Sequence, residues 1–166
     1  MKNEKSRYEQ QYDVVFTTDL ATIGLAFDGE KLIRIKYLDE AAEKAPSNKI
    51  AKKAKEKIET YLDSRLKLKT IDIDVLLDVT PFQLQVLKQL QEIPYGETRT
   101  YGEIAKILKT SPRAVGNACR NNPLPIIFPC HRVLAANGIG GYDGATSGRL
   151  LSIKKCLLEK EGVNLA

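Results

Sequence analysis

Short apolar segments separated by polar turns occupy the first 40 residues, a pattern typical of β-strands. YDVVF (12–16) and TIGLAF (22–27) are apolar over most of their length. EKLIRIKYL (30–38) alternates between apolar and polar positions, and the Asp28-Gly29 pair just before it is a hairpin signal. The beginning of the chain is therefore predicted to form a small β-sheet.

A helix is predicted to follow the strands, with Ser47 as its N-cap, because apolar residues recur at helical spacing. These residues are Ile50, Ala54, Ile58 and Tyr61. IDIDV (71–75) alternates again and predicts one more strand. We therefore expect residues 1–78 to form a small N-terminal domain of β-sheet and helix.

The pattern changes at Thr80, where helical signals replace strand signals. TPFQ (80–83) combines an N-cap threonine, a proline at the first helical position and a glutamine at the third, which is a capping box. One apolar stripe follows, formed by Phe82, Val86, Leu87 and Leu90. IPYGETRT (93–100) ends this helix, and residues 79–166 are expected to form a second, mostly helical domain.

Two short helices joined by a tight turn are predicted between Thr100 and Arg120. Thr100 and Glu103 form a second capping box, and Ser111 followed by Pro112 begins the second helix. The first helix has an apolar face of Tyr101, Ile104, Ala105 and Leu108. The second has an inward face of Ala114, Val115 and Ala118 and an opposite face of Arg113, Gly116, Asn117 and Arg120.

This helix pair has the pattern of a helix-turn-helix that binds DNA. The polar face is basic, and its small residues Gly116 and Asn117 would let a backbone approach closely, which a bulky protein surface would not need. Any packed pair of helices gives the same spacing, so this alternative stays open.

The distribution of charge supports an anionic partner for the second half of the chain. The chain has 166 residues, of which 43% are hydrophobic and 28% charged, so it can bury a core. Residues 1–80 hold 15 basic and 15 acidic side chains, whereas residues 81–166 hold 11 and 6, so the whole net charge of +5 lies in the second half. A solvated lysine-rich surface is the alternative.

Several classes of protein are disfavoured by composition. No apolar run approaches the roughly 20 residues of a membrane span, and the first ten residues lack a signal-peptide core, so we expect no membrane association and a cytoplasmic protein, or a nuclear one in a eukaryote. Three cysteines fit reduced thiols. One histidine and no paired-cysteine spacing argue against a metal site, and we expect no cofactor.

Candidate chemistry is concentrated in PCHRV (129–133), which contains Cys130 and the chain's only histidine, His131. Pro123, Pro125 and Pro129 stiffen the segment that leads to the cysteine. A nucleophilic cysteine must become a thiolate, and an imidazole is the usual base. A buried structural cysteine beside a core histidine gives the same dipeptide.

PCHRV, preceded by RAVGNACRNNPLPIIF (113–128) and GETRTYGEIA (96–105), resembles the O6-alkylguanine-DNA alkyltransferase family, also called methylated-DNA–protein-cysteine methyltransferases. The resemblance extends from about Thr80 to Gly162 and is weak over residues 1–75. It implies an α+β fold, with a ribonuclease H-like N-terminal domain and a mostly helical C-terminal domain that contains a helix-turn-helix.

The resemblance also implies the reaction. Members extrude an alkylated guanine from duplex DNA and transfer its alkyl group irreversibly to a cysteine, so each molecule acts once. Cys130 would be the acceptor, His131 its base through a bridging water, and Glu161 the carboxylate that orients the histidine. Double-stranded DNA carrying O6-alkylguanine is the expected partner, with O4-alkylthymine as a further candidate. We expect a monomer, and both single and cooperative binding to DNA stay open.

Other roles follow from the same resemblance. Asn122 would brace the active-site segment, and Tyr101 would donate a hydrogen bond to the flipped base. Arg113 would enter the base stack from a helix that lies in the minor groove and also presents Gly116, Asn117 and Arg120. The pocket would be formed by Pro125, Val133, Tyr142 and Asp143, with the carbonyl groups of Cys130 and Val133 facing the guanine amino group.

Glu161 is also indicated by the pattern itself. Leu150, Ile153 and Leu157 mark the inward face of the last helix, and Glu161 continues that face. A carboxylate there opposes the helix dipole and loses hydration, so we expect it to have a partner. An exposed, frayed helix end is the alternative.

The sequence departs from the family in the loop after Gly138, which reads YDGA (142–145) where members commonly have Tyr-Ser/Ala-Gly-Gly. Two other functions fit part of the pattern. A non-catalytic DNA-binding protein would use the helix pair but not Cys130. A cysteine hydrolase would use Cys130, His131 and Glu161 as a triad but would not need the helix pair.

Overall fold

The computed structural model describes residues 11–39, 41–63, 65, 66 and 71–165. The chain divides into two compact units, Met1–Leu77 and Asp78–Ala166. The fold mixes α-helices with a small antiparallel sheet. The first ten residues, which lack a signal-peptide core, lie outside the described part of the chain.

The first unit contains a three-stranded antiparallel sheet in the order β1-β2-β3. The strands are β1 (Val14–Thr17), β2 (Thr22–Asp28) and β3 (Lys31–Leu38). The predicted hairpin is confirmed: Asp28 pairs with Lys31 across a turn in which Gly29 has a φ of 60°. Helix α1 (Lys49–Leu62) contributes its apolar face, Ala51, Ala54, Ile58 and Tyr61, to the buried core of the unit.

Two predictions for the first unit need correction. The N-cap of α1 is Asn48, whose side chain accepts from the Ala51 amide, because Ser47 instead bonds to Asp13. Residues 71–75 make only a single parallel bridge, between Val75 and Leu32, rather than the predicted strand. Alternating burial is present in this segment, but the backbone pairs with β3 only through the amides of Leu32 and Leu76.

The second unit is mainly helical, and its first three helices begin at the predicted caps, Thr80, Thr100 and Ser111. They are α2 (Pro81–Gln91), α3 (Tyr101–Leu108), α4 (Pro112–Arg120) and α5 (Arg149–Lys160). Both predicted capping boxes, at Thr80 and at Thr100, are formed. The longest helix in the described ranges has 14 residues, and none there is long and apolar enough to cross a membrane.

A short turn and a two-residue strand pair position the site. Helix α3 ends at Lys109, which adopts a left-handed conformation with a φ of 55°, and α4 begins three residues later. Strand β4 (Arg99–Thr100) pairs in parallel with β5 (Val133–Leu134), which directly follows a 3-10 turn at Cys130–Arg132. This pairing brings the first residue of α3, Tyr101, near the segment that carries Cys130.

Candidate active site around Cys130

A cavity of about 360 Å³ lies in the second unit and has Cys130 in its wall. Its volume falls within the roughly 300–1,000 Å³ typical of small-molecule sites. Small residues form much of the wall, which leaves room for a flat ligand: Gly116, Cys119, Ala135, Gly140, Gly141, Gly144 and Ala145. Tyr101, Arg120, Tyr142, Asp143 and Thr146 complete the lining.

Asn122 holds the segment that leads to Cys130. Its amide nitrogen donates to the Phe128 carbonyl at 2.9 Å, and its carbonyl oxygen accepts from the Leu124 amide at 3.0 Å. Between these contacts Ile126 has a φ of 77°, a conformation that a β-branched residue rarely adopts without support. The two hydrogen bonds from one buried side chain therefore fix a strained loop ahead of the cysteine.

Cys130 is a buried thiol that needs a base before it can react. Burial raises its pKa to about 11, although a hydrogen bond from Asn122 and the positive charge of Lys154 act in the opposite direction. At neutral pH the resting side chain therefore carries its proton. All three cysteines of the chain are free thiols, so no disulfide competes for Cys130.

His131, Glu161 and Arg132 form a buried cluster next to Cys130 in the chain. Nε2 of His131 lies 2.9 Å from Oε1 of Glu161, and both side chains are almost fully buried. Arg132 donates from Nε to Oε2 of Glu161 at 2.9 Å and from Nη2 to Oε1 at 2.7 Å. The inward-facing carboxylate therefore has partners, and the exposed-end alternative is wrong.

The groups around His131 shift its pKa in opposite directions. Burial lowers the pKa of His131, the Glu161 carboxylate acts to raise it, and Arg132 and Lys154 add to the lowering. The neutral ring is therefore favoured in the resting protein. Because Nε2 faces the carboxylate, Nδ1 is the ring nitrogen that can accept a proton.

A buried lysine joins the last helix to the walls of the cavity. Nζ of Lys154 donates to the carbonyl oxygens of Val133 and Ile139, each at 2.6 Å, and to that of Gly141 at 2.9 Å. Burial lowers its pKa to about 8. The ammonium thus holds β5 and the glycine-rich loop together at the cavity.

The loop over the cavity ends in a tight turn. Tyr142 and Ala145 exchange backbone hydrogen bonds of 2.8 and 2.9 Å, and Asp143 and Gly144 between them have φ values of 49° and 83°. This is the geometry of a type I′ turn, which Asp-Gly favours. The departure YDGA therefore encodes a defined turn, and it leaves Tyr142 and Asp143 in the cavity wall.

Tyr101 lies beneath this loop at the N-terminus of α3. Its hydroxyl donates to the Gly141 carbonyl at 3.4 Å, and burial raises its pKa well above the usual value. A Cβ atom at Gly140 would lie 3.1 Å from the tyrosine ring and 3.2 Å from the Ala135 nitrogen. Since Gly140 also has a φ of 75°, glycine is the residue that this close approach requires.

The polar face of α4 opens beside the cavity. Arg113, Asn117 and Arg120 are exposed, and together with Ser111, Ala114 and Gly116 they line an open depression. Gly116 and Arg120 line the cavity as well. The four α4 residues predicted for DNA contact therefore form one surface, which adjoins the wall that contains Cys130, whereas Tyr101, the fifth predicted residue, lines the cavity itself.

Two predicted pocket residues are placed differently. Pro125 and Val133 are buried but are not among the residues that line the cavity. The Val133 carbonyl already accepts from Lys154, although a carbonyl has a second lone pair. The sequence pattern predicted no role for Arg132 or Lys154. A signal existed for Lys154, because it lies on the inward face of α5 between Leu150 and Leu157.

The cavity has a cysteine in its wall, and the next residue in the chain is the histidine of a buried histidine–glutamate pair. This arrangement is typical of a protein that uses a thiol as nucleophile or acceptor. The family model described as the DNA binding domain of 6-O-methylguanine DNA methyltransferase matches residues 81–163. The chain is 38% identical over 156 residues to the methylated-DNA–protein-cysteine methyltransferase of Methanocaldococcus jannaschii, across 86% of this chain and 89% of the relative. It therefore belongs to the 6-O-methylguanine DNA methyltransferase family.

Solved structures agree with this assignment. The O6-methylguanine methyltransferase of Mycobacterium tuberculosis superposes with a TM-score of 0.74 at 34% identity, covering 89% of this chain and 90% of that chain. A structure of the Mycobacterium tuberculosis OGT in complex with DNA superposes with a TM-score of 0.73 at 33% identity and the same coverage. The fold of the present chain is thus the fold of these methyltransferases.

Proposed function

We propose that the protein repairs DNA by transferring the alkyl group of O6-alkylguanine to Cys130, once per molecule. The observation that carries this proposal is a cavity that has Cys130 in its wall and adjoins the polar face of α4, with His131 of the buried His131–Glu161 pair next to Cys130 in the chain. O4-alkylthymine is a second substrate of the same chemical class.

In the proposed reaction the sulfur of Cys130 attacks the alkyl carbon, so that an S–C bond forms as the C–O6 bond breaks. The thiol proton moves through a bridging water to Nδ1 of His131, whose Nε2 remains bonded to Glu161. Tyr101 donates its hydroxyl proton to the departing guanine and later regains one. In total, the thiol proton replaces the alkyl group on guanine, and no charge accumulates.

Because the pKa of Cys130 is high, the proposed reaction needs His131 as a base. A thiol with a pKa of about 11 offers little thiolate at neutral pH, so deprotonation must accompany transfer. A neutral imidazole can take the proton, and Glu161 stabilises the imidazolium that results. Tyr101 keeps its own proton until an anion forms beside it, because burial raises its pKa.

For DNA binding we propose that α3 and α4 act as a helix-turn-helix, with α4 in the minor groove and Arg113 in the space left by the extruded nucleotide. Sequence-independent repair suits the degenerate code of that groove. We assign the first unit a ribonuclease H-like fold and a supporting role, and we propose a monomer that acts where the DNA is: the cytoplasm of a prokaryote or the nucleus of a eukaryote.

The test is intact mass with peptide mapping after incubation with a duplex that carries one O6-methylguanine. We expect one methyl group per molecule, located on Cys130, and no further turnover. Cys119→Ala serves as a control because Cys119 lines the same cavity, and this variant should still be methylated at Cys130. Binding without transfer would support the non-catalytic alternative, and repeated turnover of an ester substrate would support a hydrolase.

A further inference from the structure

Arg132 makes more contacts with Glu161 than His131 does. Its Nε donates to both carboxylate oxygens, at 3.1 and 2.9 Å, and Nη2 donates to Oε1 at 2.7 Å. The third nitrogen, Nη1, donates to the Ile93 carbonyl at 2.7 Å, which fixes the plane of the guanidinium. Arg132 therefore contacts both oxygens of the carboxylate, whereas the contact from His131 is to Oε1.

The burial of these three side chains makes their total charge important. The side chains of His131 and Glu161 are 0% and 1% exposed, and that of Arg132 is 8% exposed. Burial disfavours a carboxylate without a cationic partner, so its charge would be neutralised by a proton that binds either to the carboxylate or to His131. Arg132 carries a permanent positive charge, so the cluster is neutral without that proton.

We propose that Arg132 is a positioning residue that supplies the positive charge which the His131–Glu161 pair would otherwise acquire as a proton. It thereby keeps His131 neutral and able to accept the proton of Cys130. This inference rests on the alkyl-transfer function proposed above, and it assigns a role to a residue outside the Cys130–His131–Glu161 set.

Other groups near the cluster do not supply the positive charge that Arg132 provides to Glu161. Lys154 on α5 lies close enough to lower the pKa of His131, but its ammonium donates to three carbonyl groups. From the loop before β4, Tyr95 places its ring 5.8 Å from the guanidinium and donates its hydroxyl to the Lys160 carbonyl. The Gly96 amide reaches Oε2 of Glu161 at 3.5 Å and adds no charge.

The protonation of the pair can be measured without substrate. His131 is the only histidine of the chain, so a nitrogen-15 spectrum of the imidazole reports this residue alone. Carbon-13 labelling of glutamate reports the Glu161 carboxyl group once its signal is assigned by its loss in Glu161→Gln. In the wild type we expect a neutral ring with its proton on Nε2 and an ionised carboxylate from about pH 8 to about pH 5.5, the range in which an unperturbed histidine titrates.

Arg132→Met removes the charge and the fork of donors together. In this variant we expect the pair to bind one proton with a midpoint at about pH 7 or above, at least about 1.5 pH units above that of the wild type. Alkyl transfer should then fall at least about tenfold more at pH 6 than at pH 8.5. Arg132→Lys keeps the charge, so its pH profile should match the wild type while transfer is slower at every pH. Arg34→Met, at an exposed arginine in β3, is the matched control and should change neither readout.

Two outcomes for the single variant would overturn the proposal. One is an Arg132→Met variant whose pair stays unprotonated over the whole range. The other is a variant whose transfer rate falls by the same factor at every pH, as a purely structural role requires. If Arg132→Met does not fold, the double variant R132M/E161Q removes both charges, and we expect a neutral His131 in it. A protonated ring there would equally contradict the proposal. Absence of transfer by the wild type would refute the proposed function alone, because the titration needs no DNA.

Discussion

The ammonium of Lys154 lies 2.6 Å from the carbonyl oxygen of Val133, within the buried core of the second unit. The same ammonium also bonds to Ile139 and Gly141 in the glycine-rich loop. One side chain from α5 therefore sets the distance between the strand that follows the Cys130 turn and the glycine-rich loop that lines the cavity.

Replacement of Lys154 by methionine is expected to loosen the cavity. The variant would remove one donor from each of three carbonyl groups, of which that of Gly141 keeps the Tyr101 hydroxyl. The cost is about 1–3 kcal/mol for each carbonyl that neither water nor another donor reaches. We expect transfer to Cys130 to slow at least about tenfold because the loop no longer holds the extruded guanine in place. Single-turnover kinetics and urea unfolding measure the two effects. Lys155→Met, one residue along and exposed, should behave as the wild type.

Replacement of Glu161 by glutamine is expected to lower both stability and rate. Arg132 would lose the anionic partner of a buried ion pair, which typically costs about 3–5 kcal/mol. Transfer should slow by about a hundredfold or more because the imidazolium of His131 loses its stabilising carboxylate. Glu159→Gln lies on an exposed position of the same helix and serves as control. Unchanged thermal unfolding of Glu161→Gln would contradict the ion pair.

The raised pKa of Cys130 predicts how the free thiol responds to pH. In the folded protein without DNA, alkylation of Cys130 by iodoacetamide should increase with pH up to about pH 11, because burial raises the pKa to about that value. Burial favours the neutral thiol over the thiolate, so the reactivity of Cys130 is suppressed at pH values below its pKa in the folded protein. The same cysteine in urea should reach its plateau about two pH units earlier. Coincident profiles would show that Cys130 is not buried in solution.

Arg113 is expected to matter for duplex DNA and not for the chemical step. Arg113→Ala should slow repair of O6-methylguanine in a duplex at least about tenfold more than reaction with a free alkylguanine base, since extrusion of a base costs a few kcal/mol. Duplex binding by the wild type should weaken as salt rises. Arg34→Ala is the control for a lost exposed arginine. Equal losses on duplex and free base would remove Arg113 from base extrusion.

Much of the fold could be predicted from the sequence because the deciding interactions are local. The Asp28-Gly29 hairpin and the two capping boxes each involve residues within three positions of one another. Where the prediction was wrong, a distant residue had intervened: Asp13 takes the hydroxyl of Ser47, and Asn48 becomes the N-cap. Residues 71–75 kept their alternating burial, but a strand needs a partner, and β3 offers one bridge only.

The sequence by itself determined the inward direction of Glu161 and the polar face of α4, because each is a matter of spacing along the chain. The proposed acceptor, Cys130, came from the family resemblance of PCHRV and not from spacing. The tertiary structure alone decided which charges meet. Arg132 and Glu161 lie 29 residues apart, and Lys154 reaches carbonyl groups 13 to 21 residues away. The sequence does not show which backbone carbonyl groups a buried side chain will reach. The role of Lys154 in holding the cavity together is therefore decided by the packing of α5 against β5 and the loop.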